Sequence, residues 1–83
     1  MKVKAVVLVR PRQGVLDPAG EAVFGALRSL GYDAVQSCRI GRRVEIELIA
    51  PDLEQAHEAV QEMARRLIVN DVLEDYTFEV EAL

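Results

Sequence analysis

The chain has 83 residues, 51% of them hydrophobic and 29% charged, which fits one small domain spanning 1–83 and excludes disorder by composition. No apolar run approaches the ~18–20 residues that cross a bilayer, and Arg10 and Arg12 interrupt the first apolar stretch before a signal peptide is complete, so the chain reads as soluble and cytoplasmic. Its net charge of −4 argues against a nucleic-acid partner, and one cysteine with one histidine is too few for an intramolecular disulfide or a zinc or iron–sulfur site.

Lys2 to Arg10 alternates, with Val3, Ala5, Val7 and Val9 on one side, and predicts a strand that Pro11 ends. Arg12 to Leu16 is a loop. Asp17-Pro18 starts a helix, because Asp17 can cap free N–H groups and proline suits the first helical position. Val23, Phe24, Leu27 and Leu30 follow at helical spacing, and Gly31 closes the helix. Val35–Ile40 and Arg43–Ala50 read as two strands joined by a tight turn at Gly41-Arg42. Asp52 caps the next helix, with Gln55 three residues on as in a capping box. Its apolar stripe is Leu53, Ala56, Val60, Met63 and Leu67. Tyr76, Phe78 and Val80 alternate with Thr77, Glu79 and Glu81 in a last strand.

The order βαββαβ predicts an α+β, ferredoxin-like two-layer sandwich, an antiparallel sheet with both helices on one face. In that arrangement the first and third strands are expected parallel at the centre, with the last strand beside the first. Residues 1–43 hold eight basic and three acidic side chains, residues 44–83 two and eleven. Strand parity resolves the asymmetry, placing Lys2 and Lys4 on the same sheet face as Glu45, Glu47, Glu79 and Glu81. The same face carries Val6, Leu8 and Ile49, an apolar trio rimmed by charge and hence the candidate self-association face.

Catalytic constellations are missing from the sequence. His57-Glu58-Ala59-Val60-Gln61 falls short of a zinc-protease helix, since Gln61 stands where a second histidine is needed, so His57 reads as a boundary residue. Cys38 has no base nearby in sequence and reads as a small strand residue; Ser29 and Ser37 lack a nucleophile elbow. Gly14 and Gly20 lack phosphate-loop spacing. The loop arginines Arg12, Arg42 and Arg43, with Asp17, are candidate partner contacts, and the residues describe a scaffold or regulatory module.

Four segments in register add a resemblance over essentially the whole chain. Val15-Leu16-Asp17-Pro18 with Gly20, then Leu30-Gly31-Tyr32, then Arg39-Ile40-Gly41 before Glu45-Ile46-Glu47-Leu48, and Asn70 to Tyr76 before Phe78-Glu79-Val80, together resemble the small PurS subunits of phosphoribosylformylglycinamidine synthase. Arg42 and Asp71 stand where that family often has lysine and proline. The resemblance implies a non-catalytic homodimer that bridges a glutaminase subunit and a large synthetase subunit and assists ammonia transfer in purine biosynthesis. It also implies no cofactor on this chain, with ATP and Mg used by the large subunit. A ferredoxin-like regulatory module binding an effector at a dimer interface is the alternative. An acylphosphatase-like enzyme fails, because the first loop lacks that family's glycine pattern and Asn70 is the only asparagine.

Overall fold

Alternation on the first strand decides where the core sits. In the computed structural model, which describes residues 1–83, β1 (Lys2–Pro11) is the central strand and Val3, Ala5, Val7 and Val9 are buried along one side. It is flanked by β2 (Arg42–Ile49) and β3 (Glu74–Ala82), each antiparallel to it. Over the buried side lies α2 (Leu53–Met63), which contributes Ala56 and Val60, and the turn after it adds Ala64. Alanines on both elements leave the helix room to lie close on the strand.

Both helix starts form as their sequences predict. Asp17 accepts the Gly20 N–H at 3.0 Å at the start of α1 (Pro18–Ser29), and Asp52 accepts the Gln55 N–H at 2.8 Å. The Gln55 side chain donates to the Asp52 carboxylate instead of reaching its backbone N–H, so the reciprocal half of the box is absent. Gly31, at φ +98°, takes the left-handed conformation that ends α1.

The antiparallel α+β architecture with two helices is as expected, and the last strand lies beside the first. Four details differ. Val35–Ile40 forms no strand and Gly41-Arg42 no hairpin, so the sheet has three strands rather than four. Asp17 takes the Ile40 N–H at 2.8 Å and holds this segment against the start of α1, away from the outer edge of β2. The strand expected third is antiparallel to β1, not parallel, as a direct neighbour in an all-antiparallel sheet must be. Leu67 is 87% exposed, since the helix widens into a π turn over Ala64–Ile68, closed by Val69 N–H to Ala64 O at 2.9 Å. The wider turn carries Leu67 off the buried stripe and aims Ala64 inward.

The fourth difference is in the helix layer: only α2 packs on the sheet, against β1 and β3, whereas α1, expected beside it on the same face, extends from one end. The molecule measures 51 × 26 × 14 Å, with a radius of gyration of 16.4 Å against about 12 Å for a compact chain of this length. Its accessible surface of 6024 Å² exceeds by about 1,100 Å² what a globular monomer of this mass exposes.

Candidate interaction surfaces

Strand register places the expected charges on the open sheet face. Lys4 stands opposite Glu47 on one neighbour and Glu81 on the other, and Val6 opposite Glu45 and Glu79. The Lys4 ammonium lies 3.5 Å from Glu45, which also accepts from Arg43 at 2.9 Å. The Arg43 hydrogen bond, then the nearby Lys4 charge, hold the Glu45 carboxyl below its ordinary value.

The apolar trio is not one patch. Val6 and Leu8 are successive outward residues of β1 and line a shallow groove with Lys4, Arg43, Thr77 and Glu79. Ile49, 83% exposed, stands opposite Lys2 at the far end of the sheet, with the Lys4 rung between. Arg43 belongs to this face rather than to a loop.

The other candidate contacts gather where β1 ends, and there they brace loops. Arg12 donates from Nε to the Asp71 carbonyl at 2.9 Å, and its N–H to the Leu73 carbonyl at 2.8 Å. Arg42 forks onto Glu74 at 2.5 and 3.0 Å and also donates to the Ile68 carbonyl. Glu74 in turn accepts the Asn70 N–H at 2.9 Å, while the Asn70 side chain accepts the Val72 N–H at 3.1 Å. Arg10 donates to Asp75 at 2.7 Å. Glu74, Asn70, Arg10 and Asp75 were missed as participants. The Asn70-Asp71 turn signal was visible, but nothing local joins Glu74 to an arginine 32 residues earlier.

His57 sits at the margin of the core as expected, its ring tilted against Phe78 at 4.6 Å. Cys38 is half-buried in the irregular segment, not in a strand. No three His, Cys, Asp or Glu side chains converge to hold a metal ion. The arrangement presents guanidinium groups, carboxylates and apolar strips at the surface.

Several braces titrate. Asp17 is held below the ordinary carboxylate value by the Ile40 N–H, then the Gly20 N–H, with help from Arg39. Glu74 is lowered by the Arg42 hydrogen bond and the Asn70 N–H, and Asp75 chiefly by its hydrogen bond from Arg10. A carboxyl whose folded pKa is depressed stabilises above its unfolded value, about 4, and that stability is lost as pH falls through the folded value. The expected acid response is therefore a flat melting temperature above about pH 5 and a progressive fall below about pH 4. Glu74→Gln and Asp17→Asn should each lower the neutral-pH melting temperature and flatten the acid slope. Equal slopes in wild type and both variants would show that these braces do not couple to folding.

Comparison with known proteins gives a consistent family. Residues 4–82 match the model of the family "PurS: Phosphoribosylformylglycinamidine (FGAM) synthase". The chain is 46% identical over 77 residues to a phosphoribosylformylglycinamidine synthase subunit PurS of Synechocystis, covering 93% of this chain and 77% of that protein. It is 42% identical to the Bacillus subtilis subunit, covering 94% and 92%. Thermus thermophilus PurS superposes with a TM-score of 0.87 at 36% identity, over 100% and 99% of the two chains. A chain in the structure of PurLQS from Thermotoga maritima does so with a TM-score of 0.87 at 31% identity, over 98% and 99%.

Proposed function

The chain belongs to the PurS family of phosphoribosylformylglycinamidine synthase subunits, and from that premise we propose that it serves the complex as a non-catalytic bridge, acting as a homodimer. The complex converts formylglycinamide ribonucleotide, glutamine and ATP into formylglycinamidine ribonucleotide, glutamate, ADP and phosphate. In this reading a glutaminase subunit releases ammonia, and a large subunit holds ATP and Mg and consumes the ammonia. This chain holds the two together so that ammonia passes without loss to water, and binds no cofactor itself. Its place is the cytoplasm, beside the rest of the purine pathway.

The observation that supports the reading best is the distribution of buried surface. The buried residues are mostly small aliphatics on β1 and α2, while α1, the open sheet face and both sheet edges are left for other chains. The excess surface of about 1,100 Å² is of the size that one partner buries in a stable interface, about 800 Å².

Reconstitution tests it. Glutamine-dependent synthesis by the glutaminase and large subunits should require this chain, ammonia-dependent synthesis by the large subunit should not, and the chain alone should turn over neither glutamine nor ATP. Turnover by the purified chain, or full glutamine-dependent synthesis without it, overturns the bridge.

A further inference from the structure

At the end of β1, arginines that brace the loops keep donors in reserve. Arg10 stands opposite Asp75 in the β1–β3 register and binds it through Nε alone. Arg12 is tied to the Asp71 carbonyl, again through Nε alone. In both, the two terminal nitrogens, which can grip a carboxylate end-on, have no hydrogen-bond partner in the chain. Arg39 is exposed, makes no ion pair, and adjoins Ile40, which Asp17 holds at the start of α1. The Asp75 carboxyl is lowered chiefly by the Arg10 hydrogen bond, and the Arg12 and Arg39 charges add to it, so the three guanidinium groups share one neighbourhood. Two other carboxylates at this end are already engaged, Asp17 by the Gly20 and Ile40 N–H groups and Glu74 by Arg42 and the Asn70 N–H.

One rung along from Arg10, Pro11 stands opposite Glu74, and both border a groove between the two loops. Val15, Leu16 and Leu73 supply its apolar lining, with Leu16 78% and Leu73 47% exposed. Its walls are tied together before anything binds. The Arg12 N–H donates to the Leu73 carbonyl at 2.8 Å, and the Val15 N–H to the Arg12 carbonyl at 3.1 Å.

Resting on the bridge reading above, we propose that a different subunit of the complex docks here through an acidic segment. Its carboxylates meet the Arg10, Arg12 and Arg39 guanidinium groups, and an adjacent apolar side chain enters the groove. Arginine forks match carboxylates in shape as well as charge, so they orient the segment. The apolar side chain anchors it, since a desolvated pocket holds more binding energy than an exposed charge pair. A free phosphate would use the arginines and leave the groove empty. Forks and groove on neighbouring rungs therefore favour a peptide segment over a small anion.

The test titrates the chain, labelled with a dye at its C-terminus, into the glutaminase and large subunits with glutamine and ADP present, and reads binding by anisotropy. Arg39→Glu, which breaks no ion pair within the chain, should weaken binding about tenfold or more. Arg10→Lys with Arg12→Lys keeps both charges, loses the forks, and should weaken binding severalfold. Leu16→Ser should weaken it without changing its salt dependence, and Lys2→Glu, at the far end of the sheet, should bind as wild type. Arg39 and Leu16 are exposed, so their variants keep the test decisive if the double lysine variant folds poorly. Wild-type affinity in Arg39→Glu and Leu16→Ser overturns the site and leaves the bridge intact. An equal loss in Lys2→Glu also overturns it, marking a response to net charge alone. Inorganic phosphate bound by wild type and lost in Arg39→Glu, with subunit affinity unchanged, overturns it in favour of an anion site. A changed sedimentation equilibrium of Arg39→Glu alone, with subunit affinity unchanged, overturns it in favour of a contact between copies. A wild type that binds neither subunit overturns the bridge and the site together.

Discussion

Gly41→Ala should destabilise the chain by about 2–3 kcal/mol, the upper part of the range for forcing atoms into a filled space. The new methyl group would meet the Val9 carbonyl oxygen, with the Arg10 Cα at 3.1 Å. Both belong to the backbone of the central strand, which is hydrogen-bonded on both sides and cannot give way as a flexible side chain would. A chain of this length has only about 4–12 kcal/mol in total, so the loss is a large fraction of it. Urea unfolding at fixed protein concentration measures it as a lower midpoint with an unchanged slope. An unchanged midpoint would mean that β2 enters the sheet by another path.

Val60→Ala should cost a comparable amount, about 2–3 kcal/mol, through a cavity instead of a clash. Val60 is completely buried in the cluster with Ala5, Val7, Val9 and Ala64. Its buried neighbours Ala5, Val7, Val9 and Ala64 are too short to swing into the space, and the larger residues packed against the cluster, such as Ile46, Ile68 and Phe78, recover only part of the cost. Val23→Ala, on the exposed stripe of α1, is the contrasting substitution. In a lone monomer it changes stability little; if another copy covers α1, the loss appears as weaker association. Equal unfolding midpoints for Val60→Ala and wild type would show that the α2–β1 layer is not the core.

The sequence by itself determined the features whose causes lie within a few residues. Asp17 and Asp52 cap because their carboxylates reach the N–H three positions on, and Gly31 ends α1 because it tolerates a positive φ. Alternation from Lys2 to Arg10 and from Val44 to Leu48 set which side chains face inward, and hence that Lys4 shares a face with Glu45 and Glu47. Four short segments in register sufficed to point to the family.

Tertiary structure decided what depends on distant partners. Val35–Ile40 has strand composition, yet a strand exists only where an edge accepts it, and the Asp17–Ile40 hydrogen bond holds this segment elsewhere. The apolar stripe of α2 ran through Leu67 at regular helical spacing, but the π turn that docks Ala64 shifted the phase. Arg42 read as a free loop charge, whereas its fork onto Glu74 closes a contact across 32 residues. Capping and alternation act along the chain, so they are legible in it. Edge pairing, helix docking and ion pairs are set by what the fold brings alongside, and residue spacing does not encode that.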